Sequence, residues 1–405
     1  MKLTVNGKGL HGSIPAIASK SMAHRLLICA ALSHDPSQIR CETLSDDINA
    51  TAGCLRALGC ELTYAGGTFY ASPAKAPERA IIDCGESGST FRFLLPVIAA
   101  LGVSCRIDMH GRLPSRPLSP LYGELCRHGA ALSAEGTNPL LASGKLRGGT
   151  YNLRADVSSQ FISGLLFALP LCEEDSKIVL TGRRESASYV EMTLSALRAY
   201  GIKITATADG YAISGKQKYR SPASLAVEGD WSNGAFWLSC AALGAPLTVT
   251  GLDPESLQGD RKVVDALAEI TKEGSRAMID AQDIPDLVPI LSVVAAAQKK
   301  TTVIYNAARL RLKESDRIES TAALLRAIGA SVTETEDGLR IKGNPDSLHT
   351  GKVDSANDHR IAMAAAIASF VCTSVEIEGA EAVNKSYPAF FEDFRRLGGS
   401  VVQLS

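Results

Sequence analysis

A chain of 405 residues with 42 Lys and Arg against 43 Asp and Glu carries a formal net charge of −1. That excludes the basic excess with which nucleic-acid-binding proteins offset phosphates. Hydrophobic residues make up 45% and aromatic residues 5%, so aliphatic side chains must build the core, and at this length two domains are expected.

No run reaches the roughly 18 to 20 apolar residues of a membrane span. The opening Met1-Lys2-Leu3-Thr4-Val5 reads as a strand and lacks the apolar stretch of a secretory signal. A cytoplasmic protein with no membrane or nucleic-acid partner is expected. The ten cysteines show no C-x-x-C spacing and read as small buried hydrophobes in a reducing compartment; no metal site is expected.

After the first strand, Gly12-Ser13-Ile14-Pro15 breaks the extended pattern before a helix that starts at Lys20. A cation in the first turn opposes the helix dipole, so Lys20 reads better as a ligand-binding group than as a surface charge. Ser21 and Arg25 share one face of that helix. A second helix through Cys54-Leu55-Arg56-Ala57-Leu58 ends at Gly59, and the strand Glu61-Leu62-Thr63-Tyr64 meets a Gly66-Gly67 turn. Glycine suits both a left-handed helix end and a tight hairpin. The same succession recurs at Gly129, Gly201, Gly329 and Gly398, a period of about 70 residues. The interval from Gly201 to Gly329 is about twice as long, and a weaker copy fits inside it at Val263 to Ile270. Six units follow, split most simply as three and three.

Polar clusters lie between these markers. Gly85-x-Ser87-Gly88-Ser89-Thr90-x-Arg92 is a glycine-rich turn into a helix from Thr90 to Leu101, a place where backbone N–H groups meet anions. Arg116 precedes Pro117, which keeps it extended and able to reach outward. Ser158-Ser159-Gln160 reads as an N-cap before a helix over Phe161 to Leu169, and Ser186 and Tyr189 follow. Glu228-Gly229-Asp230 separates a strand from a helix beginning at Trp231 and marks a domain border. The expected lobes are 1–13 plus 226–405, and 14–225, so the chain would cross twice between them and leave a hinge and a cleft. Asp286 follows Pro285 and opens an apolar helix over Leu287 to Ala297.

Lys313-Glu314-Ser315-Asp316-Arg317 reads as helical. Lys313 and Arg317 would then share a face and repel unless an anion lies between them, with Glu314 near enough to exchange a proton. Asn357-Asp358-His359-Arg360 and Asn384-Lys385 add further cations. Together these clusters suit a site that handles more than one phosphate or carboxylate.

Taken in order, with Ser19-Lys20-Ser21-x-x-x-Arg25, Ser186-x-x-Tyr189, Ile284-Pro285-Asp286 and Lys385-Ser386-Tyr387-Pro388, these motifs resemble those of the 3-phosphoshikimate 1-carboxyvinyltransferase (EPSP synthase) family over nearly the whole chain. The resemblance implies a two-lobed inverted α/β barrel, each lobe made of three βαβαββ repeats, with a cleft between lobes. It implies transfer of the enolpyruvyl group of phosphoenolpyruvate to the 5-hydroxyl of shikimate 3-phosphate by addition and elimination, with release of phosphate, in aromatic amino-acid biosynthesis. It implies no cofactor, since Arg and Lys supply the positive charge.

Lys20, Asp286 and Glu314 are the implied catalytic residues. Shikimate 3-phosphate would be held by Lys20, Ser21, Arg25, Ser158, Ser159, Gln160, Ser186, Tyr189, Asp286 and Lys313. Phosphoenolpyruvate would be held by Lys20, Gly88, Arg116, Gln160, Arg317, Arg360 and Lys385, with His359 as a scaffold for Arg360. A monomer is expected. Ala18, Glu86, Phe93 and Arg309 depart from the family's usual Gly, Asn, Pro and Asn, which bears on affinity and on the response to glyphosate.

Three other readings compete. A UDP-N-acetylglucosamine 1-carboxyvinyltransferase would carry a cysteine in its catalytic loop, and Met109 to Leu118 has none. A non-catalytic anion-binding protein on the same scaffold would not be expected to keep Lys20, Asp286 and Glu314 together. An RNA-end cyclase-like protein is disfavoured by the near-neutral charge.

Overall fold

The computed structural model describes residues 1–73, 75–183 and 185–404. The chain forms two compact units: Met1–Ser19 with Glu228–Ser405, called here the terminal unit, and Lys20–Val227, the inserted unit.

The terminal unit opens with β1 (Lys2–Asn6) and β2 (Gly12–Pro15). The inserted unit follows with α1 (Lys20–Leu32), β3 (Ser37–Arg40), α2 (Asp46–Ala57), β4 (Glu61–Ala65) and β5 (Thr68–Ser72). Its next repeat is β6 (Arg79–Asp83), α3 (Gly88–Leu101), β7 (Ser104–Asp108), α4 (Leu121–Arg127), β8 (Ala130–Leu132) and β9 (Leu140–Gly144). The third is β10 (Gly149–Arg154), α5 (Ser159–Ala168), β11 (Ser176–Thr181), α6 (Ala187–Ala199), β12 (Ile204–Thr207) and β13 (Gly210–Ile213), after which β14 (Ser224–Ala226) ends the unit.

The chain then returns to the terminal unit with α7 (Trp231–Ala242), β15 (Leu247–Thr250) and α8 (Val263–Thr271). A full repeat follows: β16 (Arg276–Asp280), α9 (Val288–Ala296), β17 (Thr301–Tyr305), α10 (Arg317–Ala327), β18 (Ser331–Thr335) and β19 (Gly338–Lys342). The last elements are β20 (Gly351–Asp354), α11 (His359–Ala368), β21 (Val375–Glu378), α12 (Phe390–Arg396) and β22 (Ser400–Leu404).

One sheet pattern recurs. In β6-β7-β9-β8, β10-β11-β13-β12 and β16-β17-β19-β18, the first two strands are parallel and a hairpin adds two antiparallel strands. A helix must cross between the parallel strands, whereas a short turn closes the hairpin. In β14-β3-β5-β4 and β20-β21-β1-β22 the same order is completed by strands from far along the chain: β14 lies parallel to β3, and β1 joins β21 and β22. The sixth sheet is only β15-β2.

Gly12–Pro15 does not merely break a strand, because it is itself β2, paired in parallel with β15. The sixth repeat is incomplete: α8 runs straight to β16 without a hairpin, which is why its copy reads weakly in the sequence. The sheets of the described residues are open, and none closes into a barrel.

The repeat glycines behave as the sequence suggests. Gly59, Gly129, Gly201, Gly329 and Gly398 have φ of 97°, 104°, 76°, 85° and 94°. At Gly329 an added Cβ would also lie 2.5 Å from the Ser347 carbonyl oxygen, so a side chain is excluded twice over.

Strands such as β7 alternate exposed and buried residues, as expected for sheets with one face on a core. The helices that follow each first strand are the buried ones. Every residue of α11 and of α9 is buried, as are all but Ser89 and Leu101 in α3. The charged side chains of these helices lie near their N-terminal ends, at Arg92 of α3 and at His359 and Arg360 of α11. Among the described residues no helix is long and apolar enough to cross a membrane.

Candidate active site

In the inserted unit, Lys20 is the first residue of α1, and its Nζ lies 2.8 Å from Asp47 Oδ2 of α2. The Asp47 carboxylate offsets the unfavourable position of a cation at a helix start. Arg25, one turn further along, is 2% exposed. It donates from Nε to Thr193 Oγ1 (2.9 Å), from Nη1 to the Ser21 carbonyl (2.6 Å) and from Nη2 to the Tyr189 carbonyl (2.8 Å). Its guanidinium also lies over the Phe93 ring at 5.1 Å, and burial lowers its pKa to about 10. Arg25 thereby fixes Ser21 and Tyr189 with respect to α1. Ser186, which precedes α6, is buried with φ 51°.

The N-terminus of α3 is capped by Ser87, whose Oγ accepts from Thr90 N at 3.2 Å. Gly88 has no room for a side chain, because a Cβ there would stand 2.8 Å from Arg116 Nη1. The Arg116 guanidinium therefore lies directly on the glycine turn. Ser158 caps α5 by accepting from Gln160 N at 3.3 Å, and Ser159 is the first residue of that helix.

The Gln160 side chain accepts from Arg92 Nη1 at 2.9 Å and donates to Ser89 Oγ at 3.0 Å. Arg92 also donates from Nη2 to the Pro117 carbonyl at 2.8 Å. Gly88, Arg116 and Gln160 are thus brought to one place, with Arg92 as the bracket. Glu86 turns toward the neighbouring loop, since a Cβ on Gly111 would meet its Oε2 at 2.5 Å.

In the terminal unit, Asp286 sits in the short 3-10 turn Pro285–Leu287 that leads into α9, just before the apolar helix that the sequence suggests. Three cations surround its carboxylate: Arg317 Nη1 at 2.8 Å, Arg360 Nη2 at 3.0 Å and Lys313 Nζ at 3.8 Å. Burial alone would raise the Asp286 pKa, but Arg360, Lys313 and Arg317 outweigh it and hold the carboxyl well below its usual range. Burial lowers the Lys313 pKa to about 8, against the pull of Asp286.

The stretch Lys313–Asp316 is not helical. Asp316 caps α10 by accepting from Glu319 N at 3.1 Å, and Arg317 is its first residue. Lys313 and Arg317 still converge, but on Asp286 rather than along a helix face. Arg317 is 1% exposed and also donates to Glu314 Oε2 at 2.6 Å and to Asp358 at 2.9 and 3.3 Å. Burial opposes its charge, yet Asp358, Glu314 and Asp286 raise its pKa.

Asp358 caps α11, accepting from Arg360 N at 2.9 Å and from Ser315 Oγ at 3.1 Å. His359, beside it, is buried. Lys385 Nζ donates to the Asn357 carbonyl at 2.7 Å. Arg309 donates to the Gln282 carbonyl at 2.6 Å.

Four residues that line these clusters are not singled out as site residues by the sequence. Arg92 and Asp358 stand inside quoted motifs, so the signal was present. Asp47 is visible only once α2 packs on α1. Asp260 is buried, and burial followed by the Asp286 charge pushes its pKa up to about 7 against Arg360 and a hydrogen bond with Ser232. It lies just before the weak sixth repeat, where the pattern gave little to read. All ten cysteines carry free thiols. Among the described residues no group of three or more His, Cys, Asp or Glu side chains is placed to hold a metal ion.

A 3-phosphoshikimate 1-carboxyvinyltransferase of Clostridium kluyveri is 42% identical over 425 aligned positions, covering 100% of this chain and 99% of the relative. One of Clostridium acetobutylicum is 43% identical, covering 99% and 98%. An EPSP synthase structure from Acinetobacter baumannii superposes with a TM-score of 0.81 at 25% identity, covering 99% of this chain and all of that one. The fold is shared also with the enolpyruvyl transferase NikO of Streptomyces tendae, with a TM-score of 0.73 at 17% identity over 99% and 98% of the two chains. The sequence profile of the EPSP synthase family matches residues 5–394, and the chain belongs to the EPSP synthase (3-phosphoshikimate 1-carboxyvinyltransferase) family.

Proposed function

We propose that this chain transfers the enolpyruvyl group of phosphoenolpyruvate to the 5-hydroxyl of shikimate 3-phosphate, and that both sets of residues described above take part. The observation that carries the reading is the partly buried Asp286 carboxylate held by Arg317, Arg360 and Lys313, with Glu314 on the same Arg317 guanidinium. Cations that neutralise a carboxylate of the protein itself can exchange it for the carboxylate and phosphate of the ligands. Asp286, so released, is the base that takes the hydroxyl proton.

In the addition step the 5-oxygen bonds to C2 of phosphoenolpyruvate while Glu314 gives a proton to C3. In the elimination Glu314 takes a proton back from C3, the C2–O bond to phosphate breaks, and Lys20 protonates the leaving group. Each positioned acid or base contributes on the order of 10²- to 10⁴-fold.

Ser21, Arg25, Ser158, Ser159, Gln160, Ser186, Tyr189 and Lys313 serve shikimate 3-phosphate in this proposal. Gly88, Arg116, Gln160, Arg317, Arg360 and Lys385 serve phosphoenolpyruvate. The protein acts as a monomer in the cytoplasm, and its two lobes are the terminal and inserted units, 1–19 plus 228–405 and 20–227. The test is phosphate release from phosphoenolpyruvate with two acceptors in parallel. Release with shikimate 3-phosphate alone supports the reading, whereas release only with UDP-N-acetylglucosamine overturns it.

A further inference from the structure

We propose that His24 is a positioning residue of this reaction: as a neutral Nδ1–H imidazole it starts a one-way chain of hydroxyl hydrogen bonds that fixes the glycine turn opening α3. The proposal rests on the enolpyruvyl-transfer reading, in which that turn receives the phosphate of phosphoenolpyruvate.

His24 lies on α1 one turn after Lys20 and is 1% exposed. Its Nδ1 is 2.7 Å from Thr51 Oγ1 of α2. Thr51 Oγ1 is 2.6 Å from Thr90 Oγ1 of α3. Thr90 Oγ1 donates to Ser87 Oγ at 2.8 Å, and Thr90 N donates to the same oxygen at 3.2 Å. A hydroxyl has one proton to give, which fixes the direction of the whole chain. Thr90 spends its proton on Ser87, so at its contact with Thr51 it accepts. Thr51 has then spent its own and accepts from His24. The imidazole proton must sit on Nδ1. Ser87 Oγ receives two bonds, which leaves its own proton as the free end of the chain, next to Gly88.

Thr51 and Thr90 are fully buried and Ser87 is 1% exposed, so no bulk water competes for these bonds. Burial lowers the His24 pKa, and the charges of Lys20 and Arg25 on the same helix lower it further. The Asp47 carboxylate of α2 is engaged by Lys20. Among the described residues His24 Nε2 is buried without a hydrogen-bond partner. A buried lone pair left unpaired costs stability, and packing alone would be served better by an apolar side chain. What the imidazole supplies is a rigid donor at Nδ1 that ties α1, which carries Lys20, to the turn that carries Gly88.

The test uses the full chain. Histidine 15N spectra of the wild type should show His24 as the neutral Nδ1–H tautomer at pH 7. His24→Phe and Thr51→Val should each raise the KM for phosphoenolpyruvate about tenfold, with a smaller change in the KM for shikimate 3-phosphate and in kcat. The double variant should be no worse than either single one, because a chain broken once is broken. His24→Asn, which keeps a donor near the Nδ1 position, should recover most of the loss.

An Nε2–H tautomer, an imidazolium, or additive effects of the two substitutions would overturn the proposal. Should His24→Phe fail to fold, the wild-type tautomer and Thr51→Val decide. If the wild type releases no phosphate from phosphoenolpyruvate with shikimate 3-phosphate, the functional reading falls, while the tautomer still reports on the chain of bonds.

Discussion

Replacing Asp358 by Ala should destabilise the terminal unit selectively. The carboxylate is fully buried and has three tasks: it accepts two bonds from Arg317, caps α11 through Arg360 N and accepts from Ser315. Breaking a buried ion pair by removing one partner costs about 3–5 kcal/mol. Arg317 keeps Asp286 at 2.8 Å and Glu314 at 2.6 Å, so about 3 kcal/mol is the appropriate share. Loss of the helix cap adds about 1 kcal/mol. The expected total is about 4 kcal/mol, a large part of the roughly 5–15 kcal/mol that holds a domain.

Asp358→Asn keeps the cap and one acceptor, so about half the loss is expected. The protein supplies its own reporter, because both tryptophans, Trp231 and Trp237, are buried in the terminal unit. Urea unfolding followed by tryptophan fluorescence reads that unit alone. A shift below about 1 kcal/mol for Asp358→Ala, or a loss seen only in a transition silent to tryptophan, would refute the assignment of Asp358 as the structural counter-ion of Arg317.

Other expectations concern the proposed chemistry. Lys20→Met and Glu314→Gln should each lower turnover at least about a hundredfold, measured as steady-state phosphate release; near wild-type rates in either would remove its assigned role. Gly88→Ala places a Cβ 2.8 Å from Arg116 Nη1 and should raise the KM for phosphoenolpyruvate about tenfold by displacing that guanidinium, with the KM for shikimate 3-phosphate as the internal control.

Lys313 has a pKa lowered to about 8, so its charge is present below that pH and lost above it. The KM for shikimate 3-phosphate should therefore rise as pH passes through about 8, and Lys313→Arg, which stays charged, should flatten that limb. Between about 8 and the ordinary lysine value the unfolded chain binds more protons at this position than the folded one. Its contribution to stability therefore improves as pH rises through that window, which urea midpoints at several pH values would check.

Local signals carried most of the repeat architecture. A glycine that must adopt positive φ announces the end of a helix wherever it stands, and five such positions sufficed to count the complete repeats. The sixth repeat was hard to read because its hairpin is missing, not because its helix is weak: α8 buries Val263, Ala266, Leu267 and Ile270. In the Lys313–Arg317 stretch, capping overrides charge spacing. Asp316 is a good N-cap residue, so the helix starts at Arg317. Partnerships made by packing were beyond sequence reasoning. Asp47 on Lys20 and Asp358 on Arg317 join residues far apart in the chain, and no local pattern encodes them.

The two-stranded β15-β2 sheet has a consequence for how such proteins change length. Each module consists of a parallel pair, committed by its crossover helix to the buried interior, and an outer hairpin attached to that pair on one side. The hairpin can be deleted as a block without rethreading any helix, and here one module consists of its inner pair alone. Size variation in a fold of this kind should therefore come in discrete steps of one hairpin, at joints such as the short link from α8 to β16, rather than as gradual erosion of its loops.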